Sequence, residues 1–186
     1  KILKNKKINS QILAWKGQTP KSNIQQNARK IRYSLMSKYC KKNKIKYLLT
    51  AHHMDDQIEN FFIRLIRGSG ITGLSSMSDT FNYDSNLKII RPFLRFKKND
   101  LKYVTSSYFN TYIEDPSNKN EKYLRVRVRK HRREFEKEGL DTYKIIKTVD
   151  NLLSAKKALD FYKNKALYKH VSFVSKNKCL INKSIF

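Results

Sequence analysis

Cysteine is scarce: Cys40 and Cys179 stand alone in 186 residues, without the C-x-x-C spacing of a zinc or redox site. Such isolation argues against metal binding through cysteine and fits buried thiols in a reducing compartment. Long apolar runs are missing too. No stretch approaches the roughly 20 residues of a membrane span, and the opening KILKNKKINS has no apolar signal core. The expectation is a soluble, cytoplasmic chain with no membrane partner. Acidic residues are few, 15 Asp+Glu against 41 Lys+Arg, for a formal charge of +26. That charge favours polyanions, nucleic acid ahead of anionic membranes. A lysine-rich codon bias would raise lysine everywhere, but would not readily cluster arginines. No Ser/His/Asp triad is recognisable, and no cysteine lies near a histidine. The chain opens in mid-pattern without an initiator methionine, as a fragment or a processed chain would.

The length allows one ordinary domain, or one domain with an appendage, and is enough to bury a core. After a lysine-rich lead-in, Gln11–Trp15 reads as a short apolar strand stopped by Gly17 and Pro20. Ile24, Ala28, Ile31, Leu35 and Met36 then recur at helical spacing, predicting a helix from Ser22, a candidate N-cap, to about Lys42. Tyr47–Ala51 is continuously apolar, as a strand buried on both faces would be. Strand, helix and strand make a βαβ crossover with a right-handed connection. The next helix carries Ile58, Phe61, Phe62, Leu65 and Ile66 on one face and ends at Gly68. A third strand spans Leu87–Arg91 and a further helix runs from Phe96 to about Phe109, followed by a turn-rich loop, Asn110–Asn120. A long helical pattern covers Leu140 to Tyr168, and a short hairpin closes the tail. Gly139 marks the expected boundary between a sheet domain, 1–138, and the start of a helical second domain, 139–186.

Chemistry concentrates where the second strand hands over to its helix. His52, His53, Asp55, Asp56 and Glu59 crowd the place where open α/β sheets bind ligands. At 100° per residue Asp55, Asp56 and Glu59 share an arc at the positive end of the helix dipole, so they can jointly hold a cation. A D-x-x-E before an apolar run is also an ordinary capping arrangement. Adjacent histidines on an extended strand point to opposite faces, so at most one of them faces a site. Arg67, Gly68, Ser69 and Gly70 follow a helix C-terminus, where carbonyls rather than amides are free, which excludes a P-loop cradle. Arg125, Arg127 and Arg129 share a face if extended. If helical, Arg125 and Arg129 still do, joined by Arg132 and Arg133. In both cases they offer guanidinium groups to phosphates, unless Glu134, Glu136 and Glu138 merely neutralise them.

Leu48–Met77, LLTAHHMDDQIENFFIRLIRGSGITGLSSM, resembles the T-A-H-H-x-D-D-Q-x-E-T and R-G-S-G-x-x-G-L motifs of the tRNA(Ile)-lysidine synthase family, within the PP-loop (N-type) ATP pyrophosphatases. The flanks agree: Ile12–Gly17, Gln26–Arg29 with Arg32–Tyr33, Arg91–Pro92, Glu114–Asn118 and Tyr123–Arg125 follow in family order. The resemblance implies an α/β fold, a Rossmann-like parallel sheet of the PP-loop type incomplete at its N-terminus, followed by a mainly helical appendage. It implies that ATP, with Mg²⁺, adenylates the C2 carbonyl oxygen of the wobble cytidine of tRNA(Ile) with a CAU anticodon. Free L-lysine then attacks C2 and AMP departs. By position the implied catalytic set is Asp56, Glu59, Arg125 and Arg129. Asp56 and Glu59 would recognise lysine or act as base, and Arg125 and Arg129 would face phosphate. Asp55, Arg67, Gly68, Ser69 and Arg127 would contact lysine or tRNA, His52 would lie towards ATP, and Asp55 would be a metal contact. A homodimer is compatible with the resemblance.

Departures from the family pattern are local. The S-G-G-x-D-S phosphate loop occurs nowhere in the 186 residues, so this chain alone is not expected to carry out adenylation. Asn60 stands where the motif has Thr, and Val126 where R-N-x-I-R has Asn. Two other readings use the same residues. A metal-dependent phosphohydrolase would employ His52, His53, Asp55 and Asp56, and a non-catalytic RNA-binding module would need only the basic surface.

Overall fold

The computed structural model describes residues 2–18, 22, 24–175 and 177–182, with Ser117 and Lys119 described by their backbone alone. In chain order the elements are α1 (Ile2–Asn5), α2 (Ile24–Lys42), β1 (Tyr47–Leu49), α3 (Met54–Ile66), α4 (Ile71–Leu74), β2 (Thr80–Asn82), β3 (Lys88–Ile90), α5 (Lys98–Phe109), a 3₁₀ turn (Pro116–Lys119), α6 (Leu124–Lys137), α7 (Thr142–His170), β4 (Val171–Ser175) and β5 (Lys178–Ile181). They gather into two compact units, each drawn from two stretches of chain: Lys1–Met54 with Ser78–Glu114, and Asp55–Met77 with Asp115–Phe186. No helix among the described residues is long and apolar enough to cross a membrane.

The first unit is the α/β part. Its sheet has the order β1-β3-β2. β1 and β3 are parallel, with Leu48 opposite Ile89, as the α/β class requires. β2 is antiparallel to β3, with Phe81 opposite the same Ile89, so the sheet is mixed. Ile89 is fully buried, and Leu87 and Leu94 lie beside it in sequence and are also inside. α2 turns Tyr33, Ser37 and Cys40 to one side at i, i+4, i+7. The Tyr33 ring stacks on Tyr83 at 5.9 Å, Ser37 donates to the Asp84 carboxylate, and burial pushes the Cys40 thiol above its usual pKa.

Three expectations for this unit are corrected. Residues 8–16 have no regular structure, so the Gln11–Trp15 strand does not form and no βαβ crossover begins there. Strand propensity is only realised beside a partner strand. Instead Trp15 folds back so that its ring would lie 2.1 Å from a Cβ at Gly17, a place only glycine fills without displacing it. β1 is not buried on both faces. It is an edge strand, with Tyr47 58% and Leu49 62% exposed. The apolar face predicted for α2 (Ala28, Ile31, Leu35, Met36) lines an open groove of about 330 Å³ with Leu13, Trp15 and Arg32, while a different face enters the core. The Ser22 carbonyl accepts a bond from the Asn27 side chain; its expected part as N-cap turns on residue 23, which lies outside the described residues.

The second unit is mainly helical. α3 buries Ile58, Phe61 and Phe62, but Leu65 and Ile66 of the same predicted stripe are 49% and 63% exposed. Phe62 stacks on Phe135 of α6 at 5.6 Å. α4 packs against α7, which buries Ile145 and Val149 near its start and leaves Leu159 exposed farther on. Asp141 caps α7 by accepting from the Lys144 amide. Gly139, at φ +85°, ends α6 in the left-handed conformation that favours glycine. β4 and β5 form the hairpin expected at the tail.

The missed strand β2 owes its register to Asp84, whose Oδ1 accepts from the amides of Asn86 and Leu87 at 2.8 and 2.9 Å. The Asn86 amide, with help from Leu87, Ser37 and Lys41, holds this carboxyl below the usual 3.8. A depressed folded-state pKa contributes stability above the unfolded value and loses it as pH falls through the folded one. Amide exchange at Asn86 and Leu87 is therefore expected to quicken, relative to the rest of the sheet, as pH drops below 3.8. Asp84→Asn should quicken it at neutral pH and remove the acid dependence.

Candidate active site

α3 begins with Asp55 and Asp56 in its first turn and reaches Glu59 one turn on. Glu59 is 2% exposed, a placement a carboxylate tolerates only when paired. Its partners come from α6. Arg129 approaches with two nitrogens, Nε on Oε1 and a second at 3.1 Å from Oε2, and Arg125 Nε lies 3.3 Å from Oε2. The hydrogen bond to Glu59, ahead of the opposing effect of burial, raises the pKa of Arg129, and the charges of Glu59, Asp56 and Asp55 add to the rise. Arg132, one turn farther along, donates to Asp55 at 2.7 Å, to Glu136 at 2.8 Å and to the Thr142 hydroxyl at 2.7 Å.

These contacts resolve the two readings of Y-L-R-V-R-V-R. The segment is helical from Leu124, and Arg125, Arg129 and Arg132, at i, i+4 and i+7, share one side. Val128 is buried among the valines between them. Arg127 is not brought to this cluster. It donates to the carbonyls of Glu121 and Lys122, tying down the approach to α6. Asp55, expected as a metal contact, is held by Arg132. Among the described residues no three of His, Cys, Asp and Glu stand together as a metal group.

Arg67, Gly68 and Ser69 form the C-cap of α3. Gly68 has φ +66°, its amide returns to Leu65 and the Ser69 amide to Arg64. A Cβ at Gly73 would fall 2.6 Å from that of Ser69, so the R-G-S-G-x-x-G spacing fits a close backbone approach. In the first unit His52 is half-buried, with Nδ1 2.9 Å from the Thr50 hydroxyl, and His53 is half-buried as well.

Two residues of the quoted motifs carry weight that spacing alone did not reveal. Gln57 is buried and clamps the chain after α4. Its Oε1 accepts from the Ser76 hydroxyl at 2.8 Å and the Met77 amide at 2.9 Å, and its Nε2 donates to the Met77 carbonyl at 2.7 Å. Asn60, the departure from the motif, donates to the same Ser76 hydroxyl. Arg91 is 6% exposed, donates to the Ser78 carbonyl at 2.6 Å and lies over the Phe81 ring, fastening β2 to β3. Burial, aided by Arg29, pulls its pKa down, against the opposing pull of Tyr33 and Asp79.

A nearly dry carboxylate shared by two arginines, with two more acidic groups one turn away, is a preorganised charge cluster able to recognise a cation or anion by exchange of partners. The description of a family model, the PP-loop domain, matches residues 1–133. The chain belongs to that family. Among its curated relatives, tRNA(Ile)-lysidine synthase of Wolbachia pipientis wMel is 42% identical over 151 residues, 81% of this chain and 35% of the relative. The protein of the same name from Orientia tsutsugamushi (strain Boryong) is 45% identical over 128 residues, 69% of this chain and 29% of the relative. A third, from Rickettsia bellii (strain OSU 85-389), is 47% identical over 108 residues, 58% and 25% respectively. The chain thus spans about a third or less of the length of these relatives.

Removing Glu59 leaves Arg125 and Arg129 without their shared partner, although both retain access to water. Glu59→Ala is expected to lower stability by about 2–3 kcal/mol, the scale of a hydrogen-bonded charge left unpaired. Glu59→Gln should cost less than Glu59→Ala, because it preserves shape and one acceptor. Urea unfolding of the two variants beside the unmodified chain checks both the size and the order.

Proposed function

We propose that this chain forms part of an enzyme that makes lysidine in an isoleucine tRNA. The observation that carries the reading is the similarity to three relatives named tRNA(Ile)-lysidine synthase, together with a PP-loop family match over residues 1–133 that contains the whole α3–α6 charge cluster. ATP transfers its adenylyl group to the C2 oxygen of the wobble cytidine and releases pyrophosphate. The neutral ε-amine of lysine then attacks C2, the C2–O bond breaks, and AMP leaves with the oxygen. In this reading residues 1–138 are the catalytic domain and 139–186 begin a helical second domain.

Asp56 and Glu59 recognise the lysine ammonium, and one of them accepts its proton as the amine becomes the nucleophile. Asp56 is the better base. Glu59 is buried and already shared by Arg125 and Arg129, so its part is to bind and to position those arginines. The arginines, released or shared, then face the phosphate of the adenylated intermediate. Arg67 with Gly68 and Ser69 contacts tRNA at the end of α3. His52 lies on the nucleotide side. Mg²⁺ would accompany ATP, and Asp55, which is paired with Arg132, would hold it and help neutralise phosphate charge. No proton or group transfer is assigned to the ion.

The test is lysine incorporation into a tRNA(Ile) transcript by a chimera in which residues 1–133 replace the matching segment of the Wolbachia relative. Asp56→Asn is expected to lower kcat/KM for lysine by about 10²-fold or more, the usual weight of a positioned acid–base group, with ATP binding retained. Normal incorporation by Asp56→Asn would remove Asp56 from the site. A chimera that hydrolyses phosphoesters with Mn²⁺ and ignores lysine would favour the phosphohydrolase reading instead.

A further inference from the structure

A second edge of the sheet carries a lysine-lined cleft. At the N-terminal ends of β1 and β3, opposite the strand ends that lead towards His52 and His53, lies a cleft of about 730 Å³. Its lining includes Lys41, Lys44 and Lys46 with Asp84, Ser85 and Asn86, so three ammonium groups face one carboxylate. That carboxylate is already engaged. Oδ1 of Asp84 accepts two backbone amides and Oδ2 the Ser37 hydroxyl. Lys41, Lys44 and Lys46 form no ion pair among the described residues. Cys40, also in the lining, stays a neutral thiol because burial raises its pKa, so it adds no repulsion towards an anion.

The backbone adds an independent observation. α2 ends with Lys44 at φ +56°, in the left-handed position that helix C-termini normally give to glycine or asparagine. The turn is closed by the Lys44 amide on Lys41 O and the Ile45 amide on Cys40 O. A β-carbon there costs on the order of 1 kcal/mol, and the turn holds Lys44 at the cleft beside Lys46.

We propose that this cleft is a phosphodiester-binding surface for RNA, in which Lys41, Lys44 and Lys46 contact successive backbone phosphates and Ser85 and Asn86 donate hydrogen bonds. It reads shape and charge, not sequence, since lysines act as point charges on phosphates. It rests on the lysidine reading only for the identity of the RNA.

The test is filter binding of the 186-residue chain to a tRNA(Ile) transcript and to an unrelated RNA of equal length, across a salt series. The triple variant Lys41→Gln, Lys44→Gln, Lys46→Gln is expected to bind both RNAs several-fold more weakly. Its log–log salt slope should be shallower by about 2–3, near one unit per lost contact. Lys42→Gln, whose side chain does not line the cleft, separates a local contact from net charge and should leave the slope within a fraction of that change. Lys44→Gly keeps the turn and relieves its backbone, so Tm should rise while RNA binding falls. A purely structural Lys44 gives the rise without the fall, and that result overturns its role. An unchanged slope in the triple variant overturns the proposal, as does loss of binding to phosphatidylglycerol vesicles with RNA binding intact. If the triple variant weakens both RNAs but the chimera makes no lysidine, the surface stands and the enzymatic reading fails.

Discussion

Glu59 is the charge on which the helical unit depends. A carboxylate 2% exposed would be prohibitive to bury alone, and here Arg125 and Arg129 close over both of its oxygens. The dependence is mutual. Valine and arginine alternate from Leu124 onward, so α6 has little apolar surface with which to hold α3. Phe62 on Phe135 supplies one contact of that kind. Ionic contacts supply the rest, Arg125 and Arg129 to Glu59 and Arg132 to Asp55. The helix pair is fixed as much by charge geometry as by packing, which gives orientation at the expense of strength.

How much of this was legible beforehand varies with the physics of each segment. α2, α3, α5 and α7 announced themselves because apolar residues recur at helical spacing over 12 to 29 residues. Of the three-residue strands, β1 and β3 fall within the predicted Tyr47–Ala51 and Leu87–Arg91, whereas β2 gives no such signal. β2 has the sequence TFN within a polar stretch, and the Asp84 turn that follows, with Arg91 on Ser78, aligns it with β3. Gln11–Trp15 failed in the opposite direction, since apolar residues suggested a strand but a strand exists only where another offers its ladder. The RVRVR pattern carried both periods at once. Pairing to Glu59 and Asp55 selects the helix, which puts arginines four residues apart on one side and sends Arg127 elsewhere.

The same limit applies to the site. Spacing brought Asp55, Asp56 and Glu59 onto one arc, and the arginines were visible as a cluster, but nothing in the sequence said that one group would neutralise the other. The contacts join residues 70 and 77 positions apart, beyond the range of any local pattern. Gln57 and Arg91 were invisible as fasteners for a related reason. Their partners are the backbone of Met77 and Ser78, which has no side-chain signature, with the Ser76 hydroxyl joining Gln57 from 19 residues away.

A site whose acids are pre-paired with arginines differs chemically from one with open carboxylates. In the proposed reaction, lysine entering the α3–α6 cluster would meet Glu59 and Asp55 already paired with arginines. It competes with guanidinium groups that bind a carboxylate through two nitrogens, whereas an ammonium is a point donor. On charge alone the exchange is unfavourable, so lysine binding by Glu59 requires a second anion to receive the displaced arginine. In the proposed reaction that anion is the phosphate of the adenylated intermediate, which exists only after the first step. Recognition of lysine through Glu59 would then follow adenylation and not precede it, and the ion pairs would keep the amine from being engaged before C2 is activated.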